Sequence, residues 1–145
     1  MKQTLFIDTN VMVDLLAKRE PFYDAAKQLF SLVDRGKCAA VVAPISFSTT
    51  AYLLEKRLGY DALSQLLRQF ASIVEIASID EMIVRKSLAT SSQFRDIEDA
   101  MQHYAAIQSE CDIIITRNIK DFEKSDIPVM SPDDFLNSGK WKAEI

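Results

Sequence analysis

Short apolar segments alternate along the whole chain with segments of helical spacing, and this alternation constrains the fold more than any other feature. The apolar segments predict strands at 4–7, 38–44, 73–78, 112–118 and 127–132. Between them, apolar residues recur every three or four positions, as in amphipathic helices. Strands that alternate with helices form a parallel sheet covered on both faces. The predicted fold class is α/β, a three-layer α/β/α arrangement with a central parallel sheet of four or five strands.

Length and composition fit a single globular domain. The chain has 145 residues, of which 48% are hydrophobic and 26% charged, and such a chain can bury a core. It has no repeat or linker, so we predict one domain over 1–138 and a C-terminal tail over 139–145. The opening "MKQTLFIDTN" lacks the apolar run of a signal peptide, and no segment is apolar enough to span a membrane. A cytoplasmic protein without membrane contact is expected.

The cysteines and the net charge limit the chemistry. Cys38 and Cys111 are far apart and share no metal-ligand spacing, so both are predicted to be reduced, structural thiols. The net charge of −4 argues against broad electrostatic attraction to nucleic acid. It does not exclude a nucleic-acid enzyme whose acids hold metal ions, because bound cations reverse the local charge.

Polar residues follow two of the predicted strands. Asp8 comes directly after the first strand in "TLFIDTN", and Asp121 follows the fourth in "ITRNIKDF", together with Thr116 and Asn118. In open α/β sheets, ligands bind outside the carboxyl ends of the strands. These side chains are therefore predicted to face one crevice.

A third group of acids opens the helix before the fourth strand. In "RDIED", Asp96 is a predicted N-cap, while Asp99 is a candidate for the site. The small residues of the following "AMQHYAA" allow close packing, which can bring Asp99 near Asp8. Helix capping and a solvated surface are the alternative explanations for these acids.

Several carboxylates at one place repel each other unless a divalent cation neutralises them. Oxygen ligands suit Mg²⁺ or Mn²⁺, whereas the single His and the absence of a Cys pair near the acids argue against zinc. Such a cluster suits phosphoryl transfer, in which the metal activates water and stabilises the leaving oxygen.

Three segments in this order resemble the PIN-domain family, which includes VapC-type toxins: "FIDTNVMVDLL", "FRDIEDAMQHYAAIQSECDIIITRNIKDF" and "IPVMSPDDFL". The resemblance covers nearly the whole chain and is greatest to a branch with "RN-x-x-DF". It implies a parallel sheet flanked by helices and cleavage of RNA with Mg²⁺ or Mn²⁺. It also implies RNA as substrate, an antitoxin protein as partner, and a homodimer.

The resemblance assigns roles to individual residues. Asp8 matches the family's first acid and Asp99 its third, while Asp121 is the carboxylate left in the region of the fourth. Asn118 stands where many members have Asp, and Thr116 matches a hydroxyl near the phosphate.

The second acid is the main departure from the family pattern. In "ISFSTTAYLLEK" its expected place falls near Thr49 or Thr50, and Glu55 comes five residues or more too late. The acid set is therefore expected to be depleted, with weak metal affinity.

Other residues near the motifs have smaller predicted roles. Asn10 is expected to cap the first helix and support the site, and Thr9 to orient Asp8. Arg117 and Lys120 are candidates for phosphate contacts. His103 is expected to be a packing residue. One apolar stripe belongs either to the core or to a dimer face: Tyr52, Leu53, Leu63, Leu66, Leu67 and Phe70.

The missing second acid and Asn118 also favour a function of a different class. A PIN-like fold with a weakened metal site would serve as an RNA-binding or protein-interaction module. The retained acids Asp8, Asp99 and Asp121 favour the nuclease.

Overall fold

The central sheet has five parallel strands in the order β3-β2-β1-β4-β5. The computed structural model describes residues 2–142. Its strands are β1 (Thr4–Ile7), β2 (Ala39–Val42), β3 (Glu75–Ile76), β4 (Ile113–Ile115) and β5 (Val129–Met130). The predicted α/β class with a five-stranded parallel sheet is confirmed.

Helices connect these strands. They are α1 (Thr9–Leu16), α2 (Tyr23–Asp34), α3 (Pro44–Leu58), α4 (Tyr60–Ala71), α5 (Glu81–Ala89), α6 (Ile97–Gln108) and α7 (Pro132–Ser138). Short 3-10 turns occupy Ser91–Gln93 and Ile119–Phe122. The first helix begins at Thr9, and Asp8 is its N-cap. The expectation that Asn10 caps this helix is therefore wrong.

Strand β1 matches its predicted segment, whereas β2 to β5 are shorter than their apolar segments. The segment 73–78 forms only the two residues of β3, which lies at the edge of the sheet and pairs with β2 alone. Ile76 is 52% exposed there, so its apolar character does not mark a buried strand. Apolar content predicted the presence of each strand, whereas pairing with neighbours decides its length.

Side chains of the central strands divide the interior into two cores. Leu5 and Ile7 point to one face of the sheet and Phe6 to the other, and all three are fully buried. Helices α1, α2, α4 and α7 supply the core on the first face. Helices α5 and α6 supply the second. The alternation along β1 therefore produces the three layers that were expected.

Helix α6 packs against the sheet through alanines. Ala100, Ala105 and Ala106 are each fully buried, and they belong to the second core. A methyl side chain keeps little distance between the backbone of a helix and the surface under it. The alanines therefore let the start of α6 lie near the end of β1, as the small residues of this segment predicted.

Both cysteines are free and buried, as predicted. Burial raises the pKa of the Cys38 thiol to about 11 and that of the Cys111 thiol to about 12. Thiols with such pKa values stay protonated near neutral pH and are poor nucleophiles. A structural role for Cys38 and Cys111 follows.

The predicted tail begins with ordered residues. Trp141 packs against the first core, and its Nε1 donates a hydrogen bond to the carbonyl of Leu136 at 3.0 Å. The last part of the predicted tail, 143–145, lies outside the described residues. No helix within residues 2–142 has the length and apolar character needed to cross a bilayer.

Candidate metal and active site

The order of the strands creates a crevice between β1 and β4. The chain leaves β1 towards β2 on one side, while β4 lies on the other side. Such a reversal is where open α/β sheets bind ligands, at the carboxyl ends of the strands. The backbone N–H of Asp8 donates to the carbonyl of Ile115 at 2.9 Å, which ties the two strand ends together. Asp8 and Thr116 are the first residues beyond these strands.

Asp8 is held by a hydroxyl rather than by a cation. Its side chain is buried, and Oδ2 accepts a hydrogen bond from Oγ1 of Thr116 at 2.7 Å. The hydroxyl oxygen of Thr116 in turn accepts from the backbone N–H of Asn118 at 3.0 Å. Burial raises the pKa of Asp8, although the hydrogen bond from Thr116 opposes this shift. The carboxylate is thus fixed in position while its charge remains poorly compensated.

Thr9 does not contact the Asp8 carboxylate through its hydroxyl. Its Oγ1 lies 2.6 Å from Oγ of Ser46 on α3 and 3.2 Å from Oε1 of Glu98 on α6. The side chain of Thr116 orients the Asp8 carboxylate, and Thr9 contributes through its backbone N–H rather than through its hydroxyl. The hydroxyl of Thr9 instead links the beginnings of three helices around the crevice.

The start of α6 supplies further acids. Asp96 is the N-cap, as predicted, because its Oδ1 accepts the backbone N–H of Asp99 at 2.9 Å. Asp99 is 8% exposed, and within residues 2–142 its Oδ2 has no hydrogen-bond partner. Burial, followed by repulsion from Asp96, Asp8, Asp121 and Glu98, raises the pKa of Asp99 to about 7. An unpartnered buried carboxylate oxygen of this kind is typical of a ligand-binding site.

These residues line one cavity of about 150 Å³. The sequence predicted part of its wall, namely Asp8, Thr9, Asn10, Thr49, Asp96, Asp99, Asn118 and Asp121. Asp121 lies on the turn after β4, and its Oδ2 is 3.6 Å from Nη1 of Arg95. The three acids expected to meet, Asp8, Asp99 and Asp121, therefore share a cavity.

The chemistry of the cavity fits Mg²⁺ or Mn²⁺. Its donors are carboxylate, amide and hydroxyl oxygens, which hard cations prefer. Within residues 2–142, no three His, Cys, Asp or Glu side chains are grouped closely enough to enclose an ion as they stand. The other carboxylates repel Asp99 and contribute to its raised pKa, and Arg95 partly neutralises Asp121. A cation would have to draw the acids together.

Several predicted residues do not line the cavity. Thr50 is fully buried behind the wall, and Thr49 faces the cavity instead. Arg117 is not brought to the cavity, because its Nε and Nη2 bind the carboxylate of Asp14 at 2.7 and 3.3 Å. Lys120 is exposed on the turn after β4. Its predicted phosphate contact remains a prediction.

His103 is a packing residue, as expected. It is 1% exposed and stacks beside Phe94 and Tyr104, with ring centroids 4.9 Å away in each case. Its Nε2 accepts the backbone N–H of Asp126 at 3.1 Å. Burial lowers the pKa of His103, so the imidazole is neutral at physiological pH.

Three residues of the cavity had no predicted role: Arg95, Glu98 and Gln102. Gln102 is 1% exposed, and its Oε1 has no hydrogen-bond partner among residues 2–142. Glu98 and Gln102 are four residues apart on α6 and share a helix face, and Gln102 follows Asp99 by three. That spacing is a signal by which they could have been found. Arg95 precedes the N-cap and carries no such signal.

Comparisons with known proteins identify the family and the fold. A family model described as PIN domain matches residues 4–120. A structure of a toxin–antitoxin complex from Klebsiella pneumoniae is similar, with 25% identity and a TM-score of 0.66 over 88% of this chain and 97% of that one. VapBC from Salmonella typhimurium, in a DNA-bound structure, has 19% identity and a TM-score of 0.67, covering 91% of this chain and 99% of its own.

VapC20 of Mycobacterium tuberculosis, described as a toxin that cleaves the sarcin–ricin loop, has 15% identity and a TM-score of 0.60. The match covers 76% of this chain and 86% of VapC20. At under 25% identity, the VapC20 and Salmonella VapBC matches show the fold alone. No curated protein sequence matches the chain. Because the family model spans most of the sequence and the structural matches share its sheet and helices, the chain belongs to the PIN-domain family.

Proposed function

We propose that this chain is a divalent-metal-dependent ribonuclease that hydrolyses RNA phosphodiester bonds, and that it is the toxin of a toxin–antitoxin pair. The observation that carries the proposal is the shared cavity of Asp8, Asp99 and Asp121. Asp8 and Asp99 are buried, Asp121 is half-buried, and one oxygen of Asp99 has no partner within residues 2–142. A cluster of this kind is destabilising in the absence of a cation and suits a site that binds one.

In this proposal, Asp8, Asp99 and Asp121 hold Mg²⁺ or Mn²⁺. The bound ion would activate a water molecule and stabilise the leaving oxygen of the phosphodiester. Thr116 keeps Asp8 in place through its 2.7 Å hydrogen bond. The backbone N–H of Asn118 donates to the Thr116 hydroxyl, and Asn118 also lines the cavity. These hydrogen bonds form without substrate, so the site is preorganised.

Arg95 is the cation best placed to meet the RNA backbone. It is 66% exposed at the rim of the cavity and close to Asp121. A phosphate group that approached the acids would encounter its guanidinium first. The net charge of −4 gives little general attraction to RNA, so local contacts such as this one would position the substrate.

An antitoxin protein and a second copy of the chain are the proposed protein partners. Similar structures from Klebsiella pneumoniae and Salmonella typhimurium are toxin–antitoxin complexes. The apolar stripe on α3 and α4 divides in two. Leu63 and Phe70 belong to the interior, whereas Tyr52 is 83% and Leu53 51% exposed. An exposed pair of this size suits a homodimer contact.

We also propose that the chain belongs to the branch with "RN-x-x-DF", which its residues 117–122 match.

A second candidate function is supported by the ion pair between Arg95 and Asp121. A module that binds RNA or protein without cleavage would keep its acids neutralised by its own arginine. The absence of a ready-made group of three ligands within residues 2–142 favours this alternative. It predicts RNA binding that does not depend on divalent metal.

The deciding experiment is cleavage of a mixed RNA pool with and without Mn²⁺ or Mg²⁺. We expect metal-dependent cleavage by the wild type and a loss of more than about 100-fold in Asp8→Asn. Changes in residues that only hydrogen-bond a metal ligand already lower metal affinity or activity by about 10–100-fold. Asp61→Asn, an exposed acid in the first turn of α4, is the matched control and should cleave normally. A wild type that binds RNA but neither binds metal nor cleaves would favour the binding module.

A further inference from the structure

Glu98 is a carboxylate of the cavity that neither the spacing of the acids nor the resemblance assigned. It lies in the first turn of α6 beside Asp99, and it lines the same cavity as Asp8 and Asp121. Two consecutive residues of one helix thus supply acids to the cavity. The ordinary explanation for Glu98 is an acid near a helix N-terminus, which the helix dipole favours.

The contacts of Glu98 locate its carboxylate within the cavity. Its Oε1 lies 3.2 Å from the hydroxyl of Thr9, and that hydroxyl lies 2.6 Å from the hydroxyl of Ser46 on α3. Thr49 follows Ser46 by three residues, shares its helix face and also lines the cavity. The carboxylate of Glu98 therefore lies on the side of the cavity formed by α3. On that side the family's second acid is expected, and this chain has threonine there.

A separate observation indicates that this part of the cavity accepts a ligand. Gln102, one turn along α6 from Glu98, is 1% exposed, and its Oε1 has no hydrogen-bond partner within residues 2–142. Oδ2 of Asp99 is unpartnered in the same part of the chain, and Asp99 is 8% exposed. Buried oxygens without a donor are rare in proteins, and a cation supplies what they lack.

We propose that Glu98 replaces the missing second acid, so that α6 rather than α3 supplies the fourth carboxylate of the metal site. The proposal rests on the metal-dependent function proposed above. It changes the expectation of a depleted site: the set becomes Asp8, Glu98, Asp99 and Asp121, and the full negative charge is restored. Metal affinity is then that of a four-acid site, and it depends on a residue outside the family's usual position.

The test compares Mn²⁺ binding by wild type, Glu98→Gln and Glu55→Gln, measured by calorimetry and by the electron paramagnetic resonance signal of bound Mn²⁺. Glutamine keeps the acceptor for Thr9 and removes only the charge. We expect Mn²⁺ affinity to fall at least about ten-fold in Glu98→Gln, with an unchanged melting temperature of the metal-free protein. Glu55 is exposed on α3, and Glu55→Gln should bind Mn²⁺ as the wild type does.

A rescue variant tests the location of the carboxylate. Thr49→Glu in the Glu98→Gln background places an acid on α3, and it should recover Mn²⁺ affinity to within a few-fold of wild type. If the wild type binds Mn²⁺ and Glu98→Gln binds it equally well, the proposal for Glu98 fails while the metal-dependent function stands. A folded double variant that shows no recovery also overturns it. A wild type that binds no Mn²⁺ overturns both.

Discussion

Two buried aspartates at the two ends of α1 have opposite surroundings. Asp14 is 1% exposed, and its carboxylate accepts hydrogen bonds from Nε of Arg19 at 2.9 Å and Nε of Arg117 at 2.7 Å. Asp8 is 5% exposed and accepts from the neutral hydroxyl of Thr116. Thr116 and Arg117 are consecutive, so one short segment after β4 holds both acids.

The difference lies in what balances the buried charge. The chain itself supplies two guanidinium groups for Asp14, and Arg117 also lies 3.8 Å from the ring centroid of Phe22. In the cavity, Asp8 and Asp99 have raised pKa values caused first by burial. A carboxylate that the chain pairs with its own cations is part of its structure, whereas one that the chain leaves without a cationic partner is available to a ligand. Burial alone does not separate the two cases.

The largest expected effect comes from Asp14→Asn. This change leaves Arg19 and Arg117 without their shared anion, and removal of one partner from a buried ion pair destabilises by about 3 kcal/mol or more. Urea unfolding of the metal-free protein measures it. Asp8→Asn should not lower the free energy of unfolding, because Asn keeps the acceptor for Thr116 and removes an unfavourable charge. Equal destabilisation by both changes would break the comparison.

A smaller effect is expected in the pH dependence of stability. The pKa of Asp99 is raised from 3.8 to about 7. Between these values the folded protein keeps a proton that the unfolded chain has lost, so stability falls as the pH rises through this range. We expect a decrease of about 1–2 kcal/mol in the metal-free wild type, less than the full shift implies because water screens the cavity.

The control for this pH dependence is Asp99→Asn, which has no carboxyl to titrate at that position. Urea unfolding in the presence of a chelator, at several pH values from 4 to 8, gives the difference between the two proteins. Saturating Mn²⁺ should remove the decrease in the wild type, because it stabilises the ionised carboxylate. Parallel pH profiles for wild type and variant would contradict the raised pKa.

The smallest effect is expected from the arginine of the cavity. Arg95 is 66% exposed, so Arg95→Gln should change the free energy of unfolding by less than about 1 kcal/mol. It should strengthen Mn²⁺ binding a few-fold at low ionic strength, and salt should reduce this gain. Arg117→Gln, by contrast, should lower the free energy of unfolding by about 2 kcal/mol. Equal losses of stability in Arg95→Gln and Arg117→Gln would contradict the different structural roles given to these two arginines.

The sequence predicted the fold because apolar alternation and helical spacing report local burial. It predicted that Asp8 and Asp99 come together, because both adjoin buried elements whose packing fixes their places. Arg117 shows where this reasoning ends. Its neighbour Thr116 donates a hydrogen bond to Asp8, but the side chain of Arg117 binds Asp14, which was not identified as a buried charge in α1.

Glu98 shows a second limit. A first-turn glutamate has a sufficient local explanation in the helix dipole, and that explanation outweighs the weaker signal of its four-residue spacing from Gln102. Its contact with Thr9 joins positions that are 89 residues apart in sequence. Thr50 illustrates the same point in reverse. The resemblance placed the position of the second acid near Thr49 or Thr50, and in the structure Thr49 lines the cavity whereas Thr50 is fully buried.

The alanines of α6 set the width of the cavity without touching what it binds. Ala100, Ala105 and Ala106 hold α6 against the sheet, and α6 brings Asp99 opposite Asp8. An added methylene at one of these positions would tilt the helix, and every acid on it would move together. In a library selected for activity, these three positions should tolerate fewer substitutions than exposed residues of the rim. The width of the cavity therefore depends on residues that carry no functional group.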